Sequence, residues 1–227
     1  MIFIKISDYE NIEDDIDTNN EKFKDIMYIY SQALKVVEQK INIIKYDYEY
    51  NEEYHSIDHV MSRIKSPESI LKKMQKDNKK CTYKDMIEDI NDIAGIRIIC
   101  PLKSDVYKIR DYIREFNDIE IIKEKDYIEH PKESGYKSYH IILKVPIFIG
   151  EEESKVKVEI QIRTLAMDFW ASLEHKIYYK FEGNAPEYIS RELRECSGIV
   201  SVLDDKMLSL NEAILKAKAE AEHEAKS

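Results

Sequence analysis

Apolar side chains recur every three or four residues along several stretches of the chain, which is the spacing of one face of an α-helix. The first stretch, residues 21–54, predicts one long helix or two in sequence. Its apolar positions are Phe23, Ile26, Ile29, Tyr30, Leu34, Val37, Ile41 and Ile44. Helical patterns and the start signature Ser66-Pro67-Glu68 predict further helices. These cover residues 66–77, 105–116, 165–181 and 187–225.

Shorter runs rich in β-branched residues predict strands between these helices. Ile93 to Cys100 has the apolar content of a buried strand and is closed by Pro101. Further strands are predicted at residues 119–123, 138–145 and 156–163. This order of elements predicts an α+β fold, a mixed sheet flanked by helices. We expect one domain over residues 21–210. A leader at 1–20, mobile or forming a cap, precedes it, and a helical tail at 211–227 follows.

Residues 155–164 alternate strictly between apolar and polar side chains, which sorts them onto the two faces of one strand. Val156, Val158, Ile160 and Ile162 are expected to face a core. The opposite face then carries Lys155, Lys157, Glu159, Gln161 and Arg163. A carboxylate and an arginine on either side of an amide suit phosphate and metal chemistry. The alternative is an amphipathic strand with a solvated charged face.

The overall charge of the chain limits the kinds of ligand that it can bind. The chain has 227 residues, a net charge of −10 and a pI of about 5.2, which argues against duplex nucleic acid as the main partner. A small anionic ligand remains compatible with a local basic cleft. No Gly-rich phosphate loop occurs, so side chains must hold any phosphate. Three widely spaced cysteines and the lack of a long apolar run favour a reducing, cytoplasmic location.

Two short segments carry charges that suit phosphate binding. Arg63 and Lys65, followed by Lys72 and Lys73, surround a predicted helix start. Arginine can bind a phosphate through two parallel hydrogen bonds or stack on a purine. The alternative is that these basic side chains simply lie on a solvent-exposed surface. Residues 92–97, Asp-Ile-Ala-Gly-Ile-Arg, place an acid and an arginine on a strand that should be buried. These charges need partners there, and an internal Asp–Arg ion pair is the structural alternative.

A basic, turn-rich loop and the helix after the charged strand complete the candidate chemistry. The loop, residues 123–140, carries four lysines and Tyr136 just after a glycine, which suits a base stacked over anchored phosphates. An ordinary surface loop is the alternative. The later helix carries Asp168, Trp170, Glu174 and His175, for which surface charge is the alternative role. Together, Asp92, Glu159 and the basic side chains indicate a Mg²⁺-dependent phosphoryl-transfer site.

Five motifs, at residues 63–73, 92–97, 125–140, 159–164 and 169–175, resemble in sequence and order the synthetase domain of RelA/SpoT-type alarmone enzymes. They are Arg-x-Lys-x3-Ser-Ile-x-x-Lys, Asp-Ile-Ala-Gly-Ile-Arg, Lys-Asp-Tyr-Ile-x-x-Pro-Lys-x-x-Gly-Tyr-x-Ser-Tyr-His, Glu-Ile-Gln-Ile-Arg-Thr and Phe-Trp-Ala-x-Leu-Glu-His. The chain is similar to the small, stand-alone branch. The resemblance implies transfer of the β,γ-pyrophosphate of ATP to the ribose 3′-hydroxyl of a guanosine nucleotide, giving ppGpp or a relative.

The resemblance also implies a role for each matching residue. Arg63 and Arg97 would clamp the adenine of ATP, and Lys65 and Lys72 would hold its phosphates. Asp92 and Glu159 would bind Mg²⁺, with Glu159 also the general base. The acceptor would be bound through stacking on Tyr136, phosphate contacts from Lys125, Lys132 and His140, and a guanine contact from Asp168.

The implied fold is related to nucleotidyltransferases and assembles into a homotetramer through terminal helices. No His-Asp pair of the kind found in family hydrolase domains occurs in the chain, so we expect synthesis without hydrolysis. Glu133 and Ser134 replace commoner Pro and Asn residues, which leaves the choice among GTP, GDP and GMP open. His59 and Met61 stand where some relatives have product-binding Phe and Thr. A non-catalytic module that binds guanine nucleotides or single-stranded RNA is the alternative function.

Overall fold

A computed structural model describes residues 5–51, 55–181 and 185–225, and within these ranges the chain forms a five-stranded sheet and six α-helices. A short 3₁₀ helix at Ile6–Asp8 precedes them. The elements in chain order are α1 (Glu21–Asn51), β1 (His59–Ile64), α2 (Pro67–Lys76), α3 (Tyr83–Asp89), β2 (Ala94–Cys100), α4 (Lys103–Arg114), β3 (Glu120–Asp126), β4 (Tyr139–Ile149), β5 (Glu152–Thr164), α5 (Leu165–Lys180) and α6 (Glu187–Ala225).

The sheet is mixed, as the order of the predicted elements indicated. Its strand order is β1-β2-β5-β4-β3, with β2 and β5 parallel and every other neighbouring pair antiparallel. The charged strand β5 therefore lies at the centre, with two neighbours on each side. The predicted α+β fold with a sheet flanked by helices is confirmed.

The core lies between α1 and one face of the sheet. Val156, Val158, Ile160 and Ile162 are all almost fully buried, which confirms the face predicted from the alternation in β5. All eight apolar positions predicted for the first helix are buried as well. Because one strand face is apolar and the other charged, burial of the apolar face leaves the charged face turned away from α1.

The predicted helices form close to their predicted ends. Ser66 caps α2 by accepting a hydrogen bond from the Ser69 amide, and Pro67 occupies the first helical position, as its fixed φ allows. The strands β3, β4 and β5 all extend further than the apolar runs indicated. The predicted end of the first helix, at residues 52–54, lies outside the described residues.

Two elements escaped the sequence analysis. Strand β1 pairs antiparallel with β2 at the edge of the sheet, and Arg63 lies on it rather than at the start of a helix. Three of its six residues are polar, all six are at least partly exposed, and the apolar residues do not alternate with the polar ones as in a half-buried strand. Helix α3 has only seven residues, too few for a periodic pattern, and is marked mainly by its Thr82 cap.

The described part of the N-terminal segment, residues 5–20, contacts the core and the segment before α3. Ile6 is buried in the main core. The amide of Ile16 donates to the Cys81 carbonyl at 2.8 Å, and the amide of Lys84 donates to the Ile12 carbonyl at 3.0 Å. The segment therefore packs beside α3. No helix in the described part of the chain is long and apolar enough to cross a membrane.

Helix α6 is fastened to the end of β5 and to α5. The indole Nε1 of Trp170 donates to the Leu193 carbonyl at 2.9 Å, and the two side chains share a small second core with Ala171. Thr164 Oγ1 accepts from the Met167 amide at the start of α5 and donates to Asp204 Oδ2 at 2.8 Å. Burial raises the pKa of Asp204, and its bond with Thr164 offsets only part of this effect.

Replacing Ile160 by Ala should lower the free energy of unfolding by about 2–5 kcal/mol, because this fully buried side chain lies at the centre of the sheet and its loss leaves a cavity. Urea denaturation followed by circular dichroism measures the change. Lys155→Ala, at an exposed position of the same strand, is the control and should change stability by less than about 0.5 kcal/mol. Equal effects of the two variants would contradict the packing described here.

Asp204→Asn should gain stability relative to the wild type as the pH rises from about 4 to 7. A carboxyl group whose pKa is raised in the folded protein binds more protons there than in the unfolded chain, so its contribution to stability falls as pH rises through that window. The gain is limited to about 1.4 kcal/mol per pH unit. Denaturation at several pH values measures it, with exposed Asp205→Asn as control. A difference that does not change with pH would refute a raised pKa at Asp204.

Candidate active site

The charged face of β5 forms the floor of two adjoining pockets. In the sheet register, Gly95 of β2 lies opposite both Arg63 of β1 and Glu159 of β5, and Glu159 in turn lies opposite Ile142 of β4. A Cβ atom on Gly95 would meet nothing within 4 Å, so the floor is open at this point. Strand pairing thus aligns residues that are far apart in the sequence.

The first pocket, here called the arginine pocket, has a volume of about 220 Å³. The second, the lysine pocket, has a volume of about 180 Å³. The arginine pocket is lined by Met61, Ser62, Arg63, Asp92, Gly95, Ile96, Arg97, Glu159 and Gln161. The lysine pocket is lined by Lys73, Asn91, Asp92, Lys123, Lys125, Tyr127, Lys132, His140, Ile142 and Glu159. Asp92 and Glu159 belong to both, so the two acids mark the boundary between the pockets.

Asp92 is held by two lysines. Lys65 Nζ contacts one carboxylate oxygen and Lys73 Nζ the other, each at 2.8 Å. Burial acts to raise the pKa of Asp92, but the hydrogen bonds and charges of these lysines outweigh it, and the pKa lies below its ordinary value. Asp92 is therefore ionised at neutral pH. Lys73, the last residue of the first motif, was not among the predicted site residues, because the phosphate role was assigned to Lys72.

The structure distinguishes these two lysines. Lys72 is exposed, whereas Lys73 reaches Asp92 and lines the lysine pocket. Consecutive residues of a helix are about 100° apart around its axis, so only one of them can point to a given site. The helix phase of Met74 and Ile70, which are buried, could have separated them in the sequence.

Glu159 is held through both carboxylate oxygens. His140 Nδ1 lies 3.1 Å from Oε1, and Gln161 Nε2 donates to Oε2 at 2.9 Å. Burial acts to raise the pKa of Glu159, but the bonds from His140 and Gln161 outweigh it and the pKa is lowered. Burial is also the main cause that lowers the pKa of His140. The pair at neutral pH is therefore an ionised carboxylate and a neutral imidazole.

The two acids suit a divalent cation bound together with a phosphate ligand. The negative charge of Asp92 is close enough to act on Glu159 and opposes its ionisation, yet both remain ionised. No group of three or more His, Cys, Asp or Glu side chains in the described ranges is arranged to hold a metal ion. Mg²⁺ commonly takes only one or two protein carboxylates and completes its shell with water and phosphate oxygens. The donor set therefore fits Mg²⁺.

The lysine pocket gathers positive charge on an acidic protein. Four lysines line it: Lys73, Lys123, Lys125 and Lys132. The ammonium groups of Lys125 and Lys132 lie 5.6 and 4.9 Å from the centre of the Tyr127 ring, and that of Lys132 also lies 4.8 Å from the Tyr136 ring. A ligand with several negative charges fits this concentration of lysines.

The loop that carries Tyr136 is fixed to α6. Gly135 has a φ of +92°, and a Cβ atom there would lie 2.8 Å from the Cβ of Ser197, so only glycine fits. Ser197 Oγ donates to the Gly135 carbonyl at 2.5 Å, and Lys137 donates to Ser201. Ser134 Oγ accepts a long hydrogen bond from the Tyr136 amide, at 3.4 Å.

Tyr136, His140 and Asp168 are connected through Arg163. The Tyr136 hydroxyl lies 2.8 Å from His140 Nε2 and accepts from Arg163 Nη2 at 2.5 Å. Arg163 Nη1 donates to Asp168 Oδ1 at 3.0 Å, and Arg97 Nη1 contacts the same oxygen at 3.1 Å. Asp168 thus holds two arginines and is not among the residues that line the two pockets. Its predicted contact with guanine stays a prediction.

Most of the predicted site residues line a pocket or contact a residue that lines one. The pockets or their immediate partners include Arg63, Lys65, Asp92, Arg97, Lys125, Lys132, Tyr136, His140 and Glu159. His175 is exposed, as the surface alternative has it, whereas Trp170 is buried in the second core. Glu174 is half-buried, and burial raises its pKa. Arg163 was predicted on the charged face of β5 without a role of its own.

Comparison with known proteins agrees with the motifs. A family model described as "Region found in RelA / SpoT proteins" matches residues 62–184. The chain is 43% identical over 201 residues to GTP pyrophosphokinase YwaC of Bacillus subtilis, covering 88% of this chain and 96% of that protein. It is 35% identical over 201 residues to GTP pyrophosphokinase YjbM of the same organism, covering 88% and 94% of the two proteins.

Solved structures give the same result for the fold. The crystal structure of small alarmone synthetase 2 from B. subtilis matches with a TM-score of 0.78 and 42% identity, covering 85% of this chain and all of that chain. Small alarmone synthetase 1 from B. subtilis, bound to its product pppGpp, matches with a TM-score of 0.80 and 35% identity, covering 86% and 99% of the two chains.

Proposed function

We propose, from the premise that this chain belongs to the RelA/SpoT family, that its two pockets hold the two nucleotides of a pyrophosphate transfer. The chain is a GTP pyrophosphokinase of the small alarmone synthetase type. In this reaction the 3′-oxygen of a guanosine nucleotide attacks the β-phosphorus of ATP, AMP leaves, and the hydroxyl proton must be accepted. The observation that supports our assignment is the pair of ionised acids, Asp92 and Glu159, on the boundary between the pockets.

The arginine pocket is our proposed ATP site. Arg63 and Arg97 come from neighbouring strands and line it together, so their guanidinium groups can clamp the adenine ring. Lys65 and Lys73 contact Asp92 on the boundary of the two pockets, and we propose that they hold the ATP phosphates where these reach the boundary. Lys73, which also lines the lysine pocket, would take the role assigned from the resemblance to Lys72. Both lysines would then exchange part of their contact with Asp92 for phosphate oxygens.

The lysine pocket is our proposed acceptor site. Lys125, Lys132 and His140 line it, and the lysines would hold the 5′-phosphates of the guanosine nucleotide. Tyr136 contacts Lys132 and His140, which line this pocket, and we propose that a guanine base stacks on its ring in place of the exposed Lys132 ammonium group. The number of phosphates on the preferred acceptor, as GTP, GDP or GMP, is a matter for experiment.

Glu159 is our proposed general base, and Asp92 and Glu159 are the proposed ligands of Mg²⁺. When bound, Mg²⁺ would neutralise charge on the transferred pyrophosphate and help to orient the 3′-hydroxyl. The bonds from His140 and Gln161 keep Glu159 ionised and in one orientation, so one of its oxygens can accept the hydroxyl proton. Burial of the acids reduces screening by water and strengthens these interactions.

We also propose that the chain forms a homotetramer through its terminal helices. Helix α6 carries a row of large apolar side chains that are 47% to 69% exposed: Ile199, Val202, Leu203, Met207, Leu210, Ile214 and Leu215. Rows of this kind on a soluble monomer usually mark an interface. The free cysteines Cys81, Cys100 and Cys196 support a reducing location, for which we propose the cytoplasm.

The purified protein, incubated with labelled ATP, Mg²⁺ and GTP, GDP or GMP in turn, should release AMP and form a 3′-pyrophosphorylated guanosine nucleotide. Glu159→Gln should lower kcat by about 10³-fold, because the amide keeps the shape of the carboxylate but cannot accept the proton. Glu153→Gln, at an exposed position of β5, is the matched control. Product formation by Glu159→Gln at more than a tenth of the wild-type rate would exclude it as the base. Absence of product with every acceptor would favour a nucleotide-binding or RNA-binding module.

Lys73→Gln should weaken the binding of a non-hydrolysable ATP analogue by about ten-fold or more, because the lysine contacts Asp92 at the boundary of the two pockets, where we propose that the ATP phosphates lie. Lys72→Gln is the matched neighbour and should change the dissociation constant by less than about three-fold, as expected for an exposed charge. Isothermal titration calorimetry gives both constants. The opposite order of effects would return the phosphate role to Lys72.

A further inference from the structure

Five side chains at the site form a closed hydrogen-bonded circuit, here called the Arg163 circuit. It consists of Arg163, Tyr136, His140, Glu159 and Gln161. One branch runs from Arg163 through Tyr136 and His140 to Oε1 of Glu159. The other runs from Arg163 through Gln161 to Oε2 of Glu159. Arg163 and Glu159 therefore lie at opposite ends of the circuit, and both carboxylate oxygens are reached from the same guanidinium nitrogen.

Arginine at one end of the first branch and the carboxylate at the other set the directions of the bonds that they make. A guanidinium group has only donors, so the Tyr136 hydroxyl must accept from Arg163 Nη2. An ionised carboxylate has only acceptors, so His140 Nδ1, which faces Glu159 Oε1 at 3.1 Å, must carry a proton. The Tyr136 hydroxyl lies 2.8 Å from the other ring nitrogen, Nε2, and joins the two ends of the branch. His140 consequently donates to the proposed base.

The second branch is ordered in the same way. Arg163 Nη2 donates to the Gln161 amide oxygen at 2.8 Å, which turns the amide nitrogen toward Glu159 Oε2 at 2.9 Å. Both oxygens of Glu159 therefore receive a hydrogen bond. A reversed Gln161 amide would place two acceptor oxygens against each other, so the contact with Arg163 excludes this rotamer.

Arg163 occupies a position suited to holding other groups rather than to binding a ligand. It is only 4% exposed and lines neither pocket. Its Nη1 donates to Asp168, its Nη2 donates to both branches, and its Cζ lies 4.9 Å from the centre of the Tyr136 ring. Lysine has a single nitrogen on a flexible stem and cannot reproduce this planar set of contacts.

We propose that Arg163 is a positioning residue that orients the general base Glu159 and the acceptor-stacking residue Tyr136 as one unit through the Arg163 circuit. The proposal rests on the proposed function of Glu159 and Tyr136. It assigns to Arg163 no contact with either substrate. Loss of Arg163 should therefore impair acceptor binding and the chemical step, while the binding of ATP, which lies with Arg63 and Lys73, should change little.

The test is a double-mutant cycle on purified full-length protein with Arg163→Lys, Tyr136→Phe and the double variant. Tyr136→Phe keeps the ring and removes only the hydroxyl, so kcat should fall about ten-fold with little change in the dissociation constant for GDP. Arg163→Lys should lower kcat at least as much and weaken GDP binding about ten-fold. In the circuit the two changes break the same branch, so the double variant should match Arg163→Lys within about three-fold.

Calorimetry with GDP alone and with a non-hydrolysable ATP analogue alone separates acceptor binding from donor binding and from chemistry. Arg114→Lys is the matched control, since Arg114 pairs with Glu124 outside both pockets, and its kcat should equal that of the wild type. Thermal unfolding of each variant gives the folded fraction to which kcat is normalised.

A merely structural role for Arg163 predicts a different result. After normalisation, kcat and GDP affinity would then equal the wild-type values, or the two single effects would multiply in the double variant, and either outcome overturns the proposal. If Arg163→Lys does not fold, Tyr136→Phe is combined with His140→Asn, a change in the same branch, with Arg163 retained, and additive effects on kcat would overturn the proposal. Failure of the proposed function is distinguishable, because the wild type itself would then make no product.

Discussion

The structure depends on keeping two carboxylates ionised close to each other in a partly buried site. Asp92 and Glu159 repel one another, and burial disfavours the charge on both. Each is kept ionised by its own partners, two lysines for Asp92 and a histidine with a glutamine for Glu159. Such partners must approach from several elements, which explains why the site draws on β1, β2, β4, β5 and α2. A phosphate-bound cation between the acids would relieve the same repulsion.

Strand β5 joins the stability of the fold to its chemistry. Its apolar face supplies the centre of the core against α1, and its polar face supplies Glu159, Gln161 and Arg163. Because the two faces alternate residue by residue, the packing of the core determines where each polar side chain points. A slip of one residue would bury the charges and expose the isoleucines. The packing of the core therefore fixes the strand that carries the proposed base, Glu159, and the proposed positioning residue, Arg163.

The C-terminal helix supports the acceptor side of the site. Ser197 and Ser201 hold the loop of Tyr136, and Asp204 holds Thr164 at the end of β5. Through these contacts α6 links its exposed apolar row to the lysine pocket within one element. The proposed tetramer contacts and the serines that hold the Tyr136 loop therefore lie on the same helix, and an assembly that shifts α6 would also move this loop.

Much of this protein was readable from its sequence, because local patterns determine local structure. The helix and strand periods, the α+β class and the buried face of β5 all follow from the order of side chains, and the motifs identified the family.

The tertiary structure alone decided which charges meet. Lys73 rather than Lys72 contacts Asp92 because of the helix phase of α2, and Asp168 lies beneath two arginines. The edge strand β1 was missed because its polar residues have no alternation, and its position depends on pairing with β2. Contacts between distant residues depend on register and packing, which no local pattern encodes.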